Sequence, residues 1–160
     1  MALEGQRPLA VEVQALVTES FGAMPRRTSL GLDSNRLNLL LAILEKRLQI
    51  RLGAMDVYAK IGGGLKMEEP GLDLGVVAAV LSSSFDRPLP EAAVFWGEVD
   101  LSGQVRPIAG DDLRMNQAVT LGYSPVVCPA GGQETKTKNQ SGSKILRMQT
   151  IQDMIRFFGE

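Results

Sequence analysis

Three carboxylates stand close together late in the stretch Met67–Asp73: Glu68, Glu69 and Asp73. Grouped acids can hold a divalent cation or act as a proton donor and acceptor pair. Nothing downstream supplies a matching partner. The residues therefore favour a solvated loop, with Asp73 capping the next helix. Just upstream, Gly62-Gly63-Gly64-Leu65-Lys66 has the glycines and lysine of a phosphate loop. Such a loop ends in Gly-Lys-Ser/Thr at a helix start. Here Met67 comes after the lysine, and Glu68 and Glu69 would repel a phosphate, so nucleotide binding is not expected. Ser82-Ser83-Ser84 offers hydroxyls without a base nearby in sequence and reads as a helix end. Asn139-Gln140-Ser141 matches the glycosylation acceptor pattern, which is common by chance.

The missing residue types exclude more. The chain has no histidine, which rules out Ser-His-Asp and Cys-His catalysis and His-ligated zinc within it. Cys128 is the only cysteine, so there is no internal disulfide and no cysteine-rich metal site. Neither a metal nor a cofactor is expected in this domain. The apolar stretches are too short to span a bilayer, and MALEGQRP carries no apolar signal core, so no membrane partner is expected. That N-terminus reads as an arbitrary start, as in a piece of a longer protein.

The formal net charge is −1, so any nucleic-acid contact must come from a local patch. The stretch Met24–Arg51 holds six basic residues (Arg26, Arg27, Arg36, Lys46, Arg47, Arg51) against Asp33 and Glu45. Arg26 and Arg27 fall in a Gly/Pro-bearing loop, read as free to reach outward, where arginines suit phosphate contacts. Arg36 lies in the first turn of a helix. Lys66, Arg106 and Arg114 are weaker additions, Arg106 being expected to face Glu98 across a hairpin. No aromatic interleaves with these positions, so backbone contact rather than base stacking is expected.

The elements that must position these residues are read from periodicity. Pro8–Val17 reads as a strand and Thr18–Leu32 as a long loop. Asp33 or Ser34 caps a helix to about Ile50, whose Leu37, Leu40, Leu41, Leu44 and Leu48 form one buried face. Met55–Ile61 is a strand ended by the glycines. The helix from Leu74 to about Ser83 is apolar nearly all round and belongs in the middle, with Gly75, Ala78 and Ala79 allowing close approach. Val94–Ile108 reads as a hairpin. Pairing Val99 with Val105 and Glu98 with Arg106 keeps like with like, and Gly103 then supplies a left-handed turn position. Asp111 to about Leu121 is a helix, and Ser124–Cys128 and Lys144–Met148 are strands. Thr150 with Asp153 resembles a capping box before a last amphipathic helix carrying Ile151, Met154, Ile155 and Phe158. A flexible insertion is expected at about 129–143. The pattern is one α/β (α+β) sandwich with a mixed sheet and flanking helices, spanning 7–160.

The segments LAVEVQALV, PRRTSLGLDSNRLNLLLAILEKR, VYAKIGGGLKMEEPGLDLGVVAAVLSS and FWGEVDLSGQVRPI, within about Arg7–Cys128, resemble the C-terminal domain of RadA (Sms) DNA recombination and repair proteins. That domain is similar to the proteolytic domain of Lon, which works through a Ser-Lys dyad. In Lon the serine comes after a Gly-Pro pair. Here Glu69-Pro70-Gly71 puts glycine in its place, and Asp112 falls at the lysine position. The resemblance thus implies a domain that is not an enzyme, because glycine carries no nucleophile and aspartate cannot be a neutral amine base. It further implies a hexameric ring and contact with single- and double-stranded DNA during branch migration in homologous recombination. The parent's zinc finger and ATPase core have no counterpart in this chain. The alternative is a purely structural oligomerisation platform without DNA contact. The expected location is a plastid or mitochondrion in a eukaryote and the cytoplasm in a bacterium.

Overall fold

A computed structural model describes residues 1–131 and 142–158. The strands are β1 (Ala2–Glu4), β2 (Arg7–Leu9), β3 (Val13–Glu19), β4 (Arg27–Leu30), β5 (Met55–Ile61), β6 (Val94–Phe95), β7 (Glu98–Val99), β8 (Val105–Arg106), β9 (Val126–Pro129) and β10 (Ile145–Met148). The α-helices are α1 (Ser34–Leu48), α2 (Asp73–Phe85) and α3 (Asp111–Thr120). A mixed sheet runs β3-β5-β4, antiparallel then parallel, and a parallel sheet runs β10-β9-β6. Two antiparallel pairs, β1-β2 and β7-β8, complete the fold.

Helix α2 lies at the centre. Its Leu74, Val76, Val77, Ala78, Val80 and Leu81 are all buried, as its all-round apolar character requires. Helix α1 lays Leu37, Leu40, Leu41, Ile43 and Leu44 into the same core. Truncating any of these leucines to alanine costs about 2–5 kcal/mol. Asp33 caps α1, its carboxylate accepting from the Arg36 amide at 2.7 Å. Alternation along β9 sends Val127 into this main core, while Val126 and Cys128 join a second cluster with Trp96, Met115 and Ala118. Buried on both faces, β9 shows the continuous apolar pattern of an inner parallel strand.

Several expectations change. The Pro8–Val17 strand is broken into β2 and β3. The Thr18–Leu32 loop contains β4, which pairs in parallel with Val57–Lys60 of β5. The Val94–Ile108 stretch is not one hairpin, because β6 leaves to pair with β9. Only β7-β8 forms the hairpin, in the expected register of Glu98 with Arg106 and Val99 with Val105. Its turn holds Gly103 at φ 81°, a conformation glycine adopts without strain. The capping box at Thr150 and Asp153 is present, but the helix it starts, Ile151–Phe157, is 3₁₀. Of the expected insertion at 129–143, Pro129 closes β9, and 132–141 lie outside the described residues. Ahead of β2, Met1 and Ala2 are buried against the core.

Candidate nucleic-acid interface

The three carboxylates do not act together. Each faces its own cation. Glu68 meets Lys66 at 2.9 Å on the surface. Glu69 pairs with Arg114, whose side chain is 2% exposed. Asp73 pairs with Arg36 and also accepts from the Val99 amide at 2.9 Å. Asp73 is therefore not the expected helix cap: it ties α1 and β7 to the first turn of α2. Burial pushes its carboxyl up against the pull of the Arg36 guanidinium. The same contact raises Arg36. Among the described residues no group of acids or cysteine is placed to hold a metal. Lys66 sits beyond Gly63 and Gly64, whose backbones are in the left-handed region, and its ammonium is engaged by Glu68. At the end of α2, Ser82 donates to the Arg87 carbonyl and Ser83 accepts from the Val17 amide, which fits a helix terminus.

Gly71 and Asp112, which the resemblance expects at dyad positions, lie in the turns that begin α2 and α3. Gly71 is buried in a short 3₁₀ turn, Pro70–Leu72. A side chain added there would run into the Ile108 methyl and lie 2.5 Å from the Glu69 carboxylate. That carboxylate is fixed by Arg114 and by the Leu3 amide at 3.0 Å. Arg114 also donates to the Met1 carbonyl at 2.6 Å. Asp112 lies in the first turn of α3. One of its buried oxygens has no hydrogen-bond partner among the described residues.

The basic candidates divide sharply. Arg114 is fully buried, so it offers no edge to a phosphate and leaves the set. Arg36 is spent on Asp73, with Glu98 a further 3.5 Å away. Arg27 is not in a free loop. It belongs to β4, and its guanidinium donates to the Met55 and Leu52 carbonyls at 2.7 and 2.8 Å. Arg106 faces Glu98 in register, but its guanidinium turns to Asp100 at 2.7 Å rather than to Glu98. Of the six candidates, only Arg26 is exposed with no side-chain hydrogen bond or ion pair among the described residues, its charge acting on nearby Asp56.

Arg26 stands at a defined end of the molecule. Its amide donates to Asp56 at 2.7 Å, and its carbonyl accepts from Val57 at 2.9 Å. The other foot of the same loop is fixed by the Ser20 amide on the Ala54 carbonyl at 3.3 Å. The turn 49–54, whose Ala54 receives the Ser20 contact, carries exposed Arg51 and comes after the last turn of α1, with exposed Lys46. The Leu52 amide bonds Glu45 of that turn at 2.9 Å. Arg51 and Lys46 belong to the basic stretch, but no sequence signal singles them out. The signal that joins them to Arg26 is tertiary. The same loop carries Phe21, 97% exposed, and Met24, 83% exposed, so an aromatic does accompany these cations.

No family model matches the chain. The chain is 39% identical over 157 residues to DNA repair protein RadA of Rickettsia bellii, covering 98% of this chain and 34% of the relative. It is 38% identical over 157 residues to DNA repair protein RadA of Escherichia coli, covering 98% and 34%. It is 37% identical over 155 residues to that of Bacillus subtilis, covering 97% and 34%. These alignments run past the Arg7–Cys128 segment. Over nearly all of its own length, the chain is thus similar to bacterial proteins named DNA repair protein RadA, and it spans about a third of their length.

Proposed function

We propose that the chain is a non-proteolytic, DNA-binding and ring-forming domain of a RadA-type protein, acting in DNA repair, homologous recombination and branch migration. The observation that carries this reading is exposed Arg26, unpartnered among the described residues, at the end that also exposes Arg51 and Lys46. The names of the bacterial relatives support a repair role and, by analogy, a cytoplasmic setting. The domain is Lon-protease-like, but Gly71 has no nucleophile and Asp112 no amine. Binding rests on phosphates, is weak in one copy, and is strengthened when a hexameric ring repeats the site.

The second reading is a structural platform that touches no DNA. The internal engagement of Arg27, Arg36 and Arg114 favours it. Titrating labelled single- and double-stranded DNA at several salt concentrations separates the two. For Arg26→Ala/Arg51→Ala the slope of log K against log salt is expected to flatten by about 0.7 to 0.9 for each lost phosphate contact. A wild type that sediments as an assembly yet binds neither DNA at low salt establishes the platform instead.

A further inference from the structure

We infer that Phe21 stacks on an unpaired base of single-stranded nucleic acid, while Arg26 and Arg51 hold neighbouring phosphates. The inference rests on the proposed DNA-binding role and specifies its substrate. The chain has five phenylalanines. Phe85 packs on Phe158 with ring centroids 5.4 Å apart, and Phe95 on Phe157 at 6.0 Å. Phe21 alone stands open, at 97% exposure.

The loop carrying it is clamped at its base. Ser20 bonds Ala54, Arg26 bonds Asp56 and Val57, and Arg27 locks the adjacent turn through the Leu52 and Met55 carbonyls. A ring raised on a fixed base loses less freedom on binding than one on a free tail. Its surroundings favour nucleic acid over protein, because Arg26, Arg51 and Lys46 are exposed at this end, while of the nearby acids only Glu19 is exposed and Asp56 and Glu45 accept from the Arg26 and Leu52 amides. Aromatic faces beside cations are the pattern that binds single strands, since every base has a face to stack. In a duplex those faces are already stacked, so the ring selects the unpaired strand. Met24, at 83% exposure, gives the same loop a second apolar contact for the sugar and base.

The test uses the whole chain and two fluorescent probes: a thymidine oligomer, and the same backbone stripped of its bases. Wild type should bind the base-bearing strand more tightly. Phe21→Ala should lose about fivefold or more on that strand, little on the stripped one, and keep the wild-type salt slope. Phe21→Trp should restore affinity, and its emission should be quenched by the base-bearing strand. Unchanged affinity of Phe21→Ala for both probes overturns the inference alone, as does equal wild-type binding to the two. Equal weakening on both probes together with smaller assemblies in sedimentation assigns the ring to a second copy of the chain and also overturns it. Wild type that binds neither probe overturns the proposed function as well.

Discussion

Replacing Gly71 by serine restores the residue type that a Ser-Lys dyad needs, but the surroundings of Gly71 predict a loss of stability. The new Cβ meets the Ile108 methyl and lies 2.5 Å from a Glu69 oxygen. Neither neighbour yields freely, because the Glu69 carboxylate is held by Arg114 and by the Leu3 amide. Overpacking of this kind costs about 1–3 kcal/mol. If the carboxylate is driven off Arg114, the guanidinium is left buried and unpaired, and the cost rises toward about 3–5 kcal/mol. For a domain of this size each kcal/mol lowers Tm by about 2–4 °C, so Gly71→Ser should melt roughly 2–12 °C below wild type with the ion pair intact. Glu69→Ala/Gly71→Ser should melt lower still, since it relieves only the Glu69 contact, leaves the Ile108 clash and strands Arg114. Circular dichroism melts measure this directly. A Gly71→Ser variant as stable as wild type refutes the packing argument. Adding Asp112→Lys should give no peptide cleavage, because a dyad also needs an oxyanion site and a supported geometry. Turnover of an unfolded protein by that double variant refutes the claim that the surroundings cannot support a dyad, and turnover by the wild-type chain refutes the non-proteolytic reading.

Two further predictions concern stability and reactivity. Burial pushes the Cys128 thiol up to about 12, so a thiol reagent at mildly alkaline pH should label it only in denaturant; rapid labelling of the folded chain contradicts its placement. Asp100 is held well below the usual carboxylate range, chiefly by the Ser102 hydroxyl, with Arg106 and the Gln104 and Ser102 amides adding to it. Its folded pKa is depressed, so its contribution is present above the unfolded value of about 3.9 and lost as pH falls through that value toward the folded one. In urea titrations, the gap between wild type and Asp100→Asn should close on acidification; a gap that widens reverses the sign.

Much of the scaffold is legible in the sequence because its signals are local. The α1 stripe, the Asp33 cap and the β7-β8 register each depend on neighbours a few residues apart. Strand β4 is not legible, for a physical reason. Its half-buried positions are Arg27 and Ser29, and its exposed ones are Thr28 and Leu30, an inversion of the usual inward apolar alternation. The roles of Arg36 and Arg114 are hidden for another reason. Their partners lie 37 and 45 positions away, and nothing in either helix marks its arginine as half of an ion pair. Phe21 escapes a sequence reading because five positions separate it from Arg26, whereas the fold places both in one clamped loop.

The pair Arg26-Arg27 reads as a doubled charge, but it is two different residues. Arg27 uses a planar fork on two carbonyls, a task that depends on guanidinium geometry and that lysine's single ammonium does not reproduce. Arg26 needs only to carry charge into solvent. Lysine is therefore acceptable at one position and disruptive at the next. Removing both arginines together mixes a surface change with the loss of the fastener that holds the loop to its turn. Of the two, only the Arg26 substitution reports on the surface alone.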